Sequence, residues 1–392
     1  MDYIGHIRYR DKIGSSEFSK TVAKRVDNYF VERNISKHAN AEMYFKSVLA
    51  VTLWITTYYI LLTFSFSPAS LIAMYIGHGF AQLFMTYNLS HDANHGAYSK
   101  SPKVNDILSR TFDLVGISSY IWRLMHNDSH HSFINVPGTD TNLMGPDVLR
   151  FSPGVIRQPN HRYQHIYASF IYCFSTLHWV LFKDFHLFFS KSRFGNRTIV
   201  RHDRKDLVFL LATKAFYYCY MLVIPMWYLD VAWYYVVLGF LVMHFFIGFH
   251  IAFIFQPAHI TEGATYIYPD SDGYIHNNYL RHSFDTTLDF ARKVPFANWV
   301  LGCLNLHIVH HMYSEICHVH YPDLTEIIKS TAEEFGLTYH EIRTTIGAYI
   351  IHLRWLKALG QADDPSVREN DTVATRNTRR HFSAATEMES LD

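Results

Sequence analysis

The residues in this chain best suited to chemistry are histidines, and their spacing is unusual. His126-Asn127-Asp128-Ser129-His130-His131 puts three imidazoles into six residues, too dense for packing or for a solvated surface. His126 and His130 stand at i, i+4, on one face of a helix, and His131 points about a quarter-turn away. His91 and His95 repeat the four-residue spacing upstream, and His307, His310 and His311 form a third cluster downstream. Imidazole suits iron, zinc, copper and nickel. A single pair at helical spacing is weak evidence of a metal site. Two doubled His-His pairs, each with a third histidine three or four residues before it, are strong. A ninth candidate is His259, in Phe255-Gln-Pro-Ala-His259-Ile-Thr-Glu262, which like His91 follows directly on an apolar stretch.

Nine imidazoles exceed the needs of one tetrahedral zinc and fit two transition-metal ions. A nearly all-nitrogen shell at a membrane surface points to iron and dioxygen, because an unactivated C–H bond is what a membrane offers for oxidation. Ligating histidines need partners that fix their tautomers. Asp92, Asn94, Asn127, Asp128 and Glu262 lie within sequence reach, although each also suits a helix cap or a surface position.

These clusters must be positioned by apolar elements. Of the 392 residues, 16% are aromatic and 18% charged, against about 25% charged in an ordinary soluble chain. The net charge of +1 gives no reason to expect nucleic acid as a partner. Four cysteines without a CxxC pair read as reduced and structural. The first residues contain no apolar stretch of signal-peptide type. Residues 1–45 form a polar segment in which Phe18, Val22, Val26, Tyr29 and Phe30 recur at helical spacing, an amphipathic helix lying on the membrane or on the catalytic domain.

From Ser47 to Ser90 there is no Asp, Glu, Lys or Arg, enough for two crossings of about 20 residues each. Spans are expected at about 46–65 and 69–89, with a second hairpin at about 207–229 and 231–255. The stretch 165–182 is apolar enough to tempt a fifth assignment, but crossing there would separate the histidines of one site, so it reads as interfacial. Residues 183–206 carry Lys183, Lys191, Arg193, Arg197, Arg201, Arg204 and Lys205, which places that loop in the cytoplasm. The short turns at 65–70 and 228–230 lack basic residues and read as non-cytoplasmic. Both termini and all three clusters then fall on the cytoplasmic side, in a bacterial inner membrane or endoplasmic reticulum. Residues 46–360 form the membrane domain, and the polar tail 361–392 reads as disordered.

The segments HDANHGAYS, HNDSHHSFINVPG, FQPAHITE, TTLDFA and LNLHIVHHMYSEICHVHYP resemble the membrane fatty acid desaturases, and within them the acyl-lipid or acyl-CoA group that includes front-end (linoleoyl-CoA desaturase-like) enzymes. The resemblance runs from about Asp27 to Leu359. It implies an all-α membrane protein with four transmembrane helices in two hairpins and a cytosolic helical cap holding a diiron site. It implies an O2-dependent reaction that removes two hydrogens from adjacent methylenes of a long acyl chain and leaves a cis double bond. The acyl group would be carried on CoA, acyl carrier protein or a lipid, and electrons would come from a separate ferredoxin or cytochrome b5 with its reductase. No HPGG-type haem segment marks a fused cytochrome domain. By position the family's ligands fall on His91, His95, His126, His130, His131, His259, His307, His310 and His311. Three departures stand out. His307 occupies a position that is commonly Gln in front-end enzymes, Gly302-Cys303 stands for Gly-Gly, and Asp140-Thr-Asn142 stands for Asp-x-Asp.

The same histidine scaffold also supports hydroxylases and acetylenases, distinguished by substrate placement. A haem-carrying electron-transfer protein would need histidines facing each other inside the spans, such as His78 with His244, and doubled His-His pairs serve haem poorly. A metal transporter would need polar ligands at mid-membrane depth, where the spans have few. His161, His165, His178, His186, His202, His250, His282, His318 and His320 read as structural or interfacial.

Overall fold

The computed structural model describes residues 6–12, 16–190, 194, 196 and 202–361. The expected tail, beyond Gln361, and Lys191, Arg193, Arg197 and Arg201 of the basic loop lie outside the described residues. The protein is mostly helical. Helix α1, Glu17–Arg33, is capped by Ser16, whose Oγ accepts from the Ser19 N–H, and ends at Asn34 in the left-handed region, where Asn is tolerated best after Gly. Its apolar stripe (Phe18, Val22, Val26, Phe30) packs into a core shared with Leu306, Ile308, Leu324 and Ile328. Of the two seats open to this amphipathic helix, it takes the one on the domain.

Helix α2, Ala41–Thr63, begins at Asn40, whose side chain accepts from the Met43 N–H. Helix α3, Pro68–Met85, opens on a Ser67 cap and a proline at its first turn, where a missing N–H costs nothing. A π-helical turn, Thr86–Ser90, carries α3 into His91–Asn94. Helix α4, Arg204–Tyr218, continues through a second π-turn to Tyr228, and α5, Trp233–His259, runs back with Pro257 in its last turn. Three of these helices are long and apolar enough to cross a membrane: Ala41–Thr63, Arg204–Tyr228 and Trp233–His259. The stretch expected as the span 69–89 is not among them. His78 and Gln82 interrupt it, and it is the helix sheathed by the others. Gly79 lets Met243 and Ile247 of α5 close on it, and Gly239 of α5 admits the Tyr75 ring.

The stretch 165–182 breaks into short pieces, including Gln164–Cys173, Ser175–His178 and the π-turn Trp179–Lys183. Their inner face meets α5 and the last helix, with Tyr172 and Ala168 buried, while Ile166, Phe170 and Phe182 point outward. Helix α6, Tyr279–Asp285, helix α7, His307–Met312, helix α8, Tyr321–Glu334, and helix α9, Thr345–Leu359, follow in the C-terminal part of the chain. Two short parallel pairings, which no sequence pattern announces, tie distant loops: β1 (Arg8–Tyr9) with β2 (Tyr274–Ile275), and β3 (Asp289–Phe290) with β4 (Glu341–Ile342).

Candidate metal centre

The histidine site sits where the ends of α3 and α5 meet α7 and the second histidine cluster, between the core built on α3 and α5 and the core built on α1, α7 and α8. The second cluster lies in a π-helical stretch, Leu124–His131. Such winding pairs i with i+5, and it changes the expected sharing of a face by His126 and His130. His126 instead meets His131, with Nε2 atoms 3.1 Å apart, and His130 faces another set. On α7, consecutive His310 and His311 diverge in the same way.

All nine candidate histidines come together. His91, His95, His126 and His310 form one foursome able to hold a metal ion; His130, His259, His307 and His311 form another; His131 lies with His310 and His311 between them. Eight of the nine are buried, and His95 is nearly so. The second foursome contains a triangle of Nε2 atoms, with His307–His259 at 2.8 Å, His311–His259 at 3.1 Å and His311–His307 at 3.1 Å. Three imidazole nitrogens cannot satisfy three mutual contacts with protons. Each Nε2 carries one hydrogen or one lone pair, so one contact must oppose like groups. A shared cation resolves all three. In the first foursome the buried Nε2 atoms of His91, His95 and His310 have no hydrogen-bond partner, a cost of about 1–3 kcal/mol each if nothing binds there. Both observations fit metal ions.

Electrostatics agree. Burial pushes the His307 imidazole down to about 3, and holds His95, His126, His131, His310 and His311 well below the usual imidazole value, with neighbouring histidines adding to the effect. These rings are neutral at cell pH and present lone pairs. Hydrogen bonds orient two rings of the site, His307 and His130. His307 Nδ1 lies 2.8 Å from the Leu304 carbonyl, leaving Nε2 to ligate. His130 Nδ1 lies 3.0 Å from both Asp140 oxygens, with the same effect. Trp122 stacks on His126 with ring centroids 4.0 Å apart, closing that side to water.

The five residues expected to support the ligands are placed differently from one another. Asp92 is buried with Oδ1 3.9 Å from His91 Nδ1, but its closer partner is His318. Asn94 accepts from Arg123 Nε through its side chain and from Asn127 Nδ2 through its carbonyl. Asp128 is half-exposed and Glu262 exposed. Sequence reasoning missed Asp140 as a support and Asn135 as a brace. Asn135 sits at φ 53 and donates through Nδ2 to the His259 and Thr286 carbonyls, while its N–H donates to Asp140. The turn Asn135–Asp140 thus ties the second cluster to the end of α5. Its turn residues were legible, but nothing in their spacing tells which histidine the aspartate will face.

His78 and His244 do not face each other as haem ligands would. His78 Nδ1 lies 2.9 Å from Thr57 Oγ1, and His244 lies between Tyr217 and Thr176.

A family model described as fatty acid desaturase matches residues 65–343. The chain is 33% identical over 359 residues to an sn-1 linoleoyl-lipid 6-desaturase of Synechocystis sp., covering 91% of this chain and 98% of that one. It is 33% identical to the protein of the same name from Arthrospira platensis, covering 91% and 96%. An acyl-lipid (8-3)-desaturase of Physcomitrium patens is 30% identical over 88% of this chain and 72% of its own.

Proposed function

This chain belongs to the fatty acid desaturase family and is an oxidoreductase, and from that premise we propose that its nine clustered histidines hold two iron ions and that it puts a cis double bond into a lipid-linked acyl chain. The observation that carries the reading is the pair of buried imidazole foursomes, one with its frustrated Nε2 triangle. His91, His95, His126 and His310 would hold one iron, and His130, His259, His307 and His311 the other, with His131 beside both. Iron bound there would supply O2 activation and hydrogen removal from two adjacent methylenes. The chain's own residues do the rest. Asp140 and the Leu304 carbonyl hold His130 and His307 in the ligating tautomer. Burial keeps His95, His126, His131, His307, His310 and His311 unprotonated, and Trp122 shields the first foursome.

The relatives are named for acyl-lipid substrates, and an acyl-lipid carrying an already unsaturated long chain is the substrate proposed here. Electrons would come from a separate donor of ferredoxin or cytochrome b5 type. The site would face the cytoplasm above four spans, α3 being the fourth.

The test is a fatty-acid profile, by gas chromatography–mass spectrometry with derivatisation of double bonds, of cells expressing the wild type beside His130→Ala and supplied with linoleate. A new unsaturated acyl species in the wild type and not in the variant is the expected result. A new hydroxy species would move the reaction to hydroxylation, and the same product from His130→Ala would sink the metal-site reading.

A further inference from the structure

Outside the histidine site, one charged group is buried without an obvious reason. Lys46, in the second turn of α2, is 1% exposed. A buried ammonium needs a partner, or its desolvation is not offset. Its Nζ lies 2.8 Å from Nε2 of His318, a histidine that in sequence reads only as scaffold, and it also stands over the Trp299 ring at 5.4 Å. Lysine has hydrogens to give and no lone pair. His318 Nε2 is therefore the acceptor, and its proton sits on Nδ1. That Nδ1 lies 2.9 Å from Asp92 Oδ2, and the His318 backbone N–H donates to the same oxygen at 3.0 Å. The other oxygen, Oδ1, stands 3.9 Å from His91 Nδ1, while His91 Nε2 points unpartnered into the first foursome.

The sequence of contacts is directional: ammonium, imidazole, carboxylate, imidazole. The first two links are hydrogen bonds, and the last is a carboxylate-to-ring contact at 3.9 Å. The Lys46 donor sets the His318 tautomer, the His318 donors pin Asp92, and the pinned carboxylate faces the Nδ1 side of His91. Asp92, Cys317 and His318 also have the spacing of a third metal site. The ammonium already supplies the positive charge there, and burial keeps the Cys317 thiol protonated, so a third metal ion has neither vacant charge nor a thiolate to bind.

We propose that Lys46 is a positioning residue for the iron site, acting through His318 and Asp92 to hold His91 in its ligating orientation. The inference rests on the two-iron reading above and concerns only the foursome that contains His91. It also means that the first membrane helix, which contributes no ligand, helps to define one iron and not the other.

The experiment compares purified full-length wild type with Lys46→Met, Lys46→Arg, His318→Leu and His318→Gln, all reconstituted with 57Fe. Iron per chain is titrated, and Mössbauer spectra resolve the two sites. Removing such outer partners typically weakens metal binding about 10- to 100-fold. In Lys46→Met and His318→Leu the expected result is near-normal occupancy of one site, with the other weakened by that factor and its spectral parameters altered. Lys46→Arg restores a donor, and His318→Gln can both accept from Lys46 and donate to Asp92, so both should recover the second iron. Two equal, unchanged sites in Lys46→Met would overturn the inference. Equal loss from both sites, unrescued by Arg or Gln, would also overturn it, because that is the pattern of general misfolding. If Lys46→Met yields no folded protein, the His318 pair decides by the same criteria. A wild type that takes up no iron would instead overturn the two-iron reading.

Discussion

At the scale of single residues, Asp140 is the support whose removal can be isolated. Both its oxygens face His130 Nδ1, and it also accepts from the Asn135 and Asn142 N–H groups. Asp140→Asn keeps the volume and part of the turn but puts an amide where a carboxylate held the imidazole proton. Iron affinity is expected to fall about 10- to 100-fold, with occupancy restored by excess iron, as read by titration with elemental analysis; unchanged affinity would remove Asp140 from the site. Acid acts on other rings of the site. Native His307 is held at about 3 against an ordinary value near 6.5, and four other buried rings are displaced the same way. Between those values the unfolded chain binds more protons than the native one, so stability falls as pH drops below about 6.5. Asp289 works oppositely: burial raises it to about 7, so it costs stability as pH rises from the ordinary carboxyl range toward 7. Several imidazoles outweigh one carboxyl, since each tenfold change in a group's proton affinity on folding is worth about 1.4 kcal/mol. Iron-free protein in detergent is expected to melt at a lower temperature at pH 5 than at pH 7, and the opposite order would refute this balance. Eight of the nine histidines were legible because their spacing repeats, and His259 because it follows an apolar stretch as His91 does. Their division into two foursomes was not, because it depends on π winding at the second cluster and on how α7 packs against it, which residue types alone do not announce.

At the scale of elements, the third cluster depends on how the chain enters α7. Gly302 and Cys303 both adopt left-handed backbone, at φ 58 and 54, and the Cys303 and Leu306 amides bond back into the loop. A Cβ on Gly302 would strike the Tyr87 carbonyl oxygen at the end of α3. The left-handed conformation itself costs an L-residue about 1–2 kcal/mol, which Cys303 already bears. Gly302→Ala is expected to push α7 away from α3 and lower iron content in folded protein by several-fold, with little gain from added iron because the ligands themselves are displaced. Iron per chain after size-exclusion chromatography checks this, and wild-type content would show that the loop has room. The sequence did mark this place, since Gly-Gly is usual there and Cys replaces the second glycine, but the reason lay in a carbonyl more than two hundred residues upstream. Helix α3 was legible as an apolar stretch, but not as the most enclosed of the long helices: His78 and Gln82 are admissible because α2 and α5 wrap it, which no local pattern encodes.

At the scale of the whole molecule, the number of crossings can be argued from packing on one face. Helix α1 precedes α2, and its apolar stripe is buried against α7 and α8, with Arg25 paired to Glu334 at 2.7 Å. The histidine site lies against the same core. On the proposed topology the chain leaves this core after α1 and is back beside it at His91, so it would cross the membrane an even number of times between them. Helix α2 is one of the three helices long and apolar enough to cross. If α2 crosses, α3 must return, even though it is not apolar enough to be recognised alone. Its 18 residues give about 27 Å at 1.5 Å per residue, and the π-turn adds the remainder of a hydrocarbon core about 30 Å thick. The second hairpin repeats the argument, because His259 at the end of α5 joins the same foursome as His307. The turns at Ser65 and Asp230 are then both exposed on the far face. With Cys173 and Cys219 replaced by serine, a membrane-impermeant maleimide is expected to label Ser65→Cys and Asp230→Cys from one side of sealed vesicles, and Lys24→Cys and Glu333→Cys from the other. Labelling of Ser65→Cys together with Lys24→Cys would mean that α2 does not cross, and labelling of Ser65→Cys and Asp230→Cys from opposite sides would break the requirement that one site draws ligands from both hairpins.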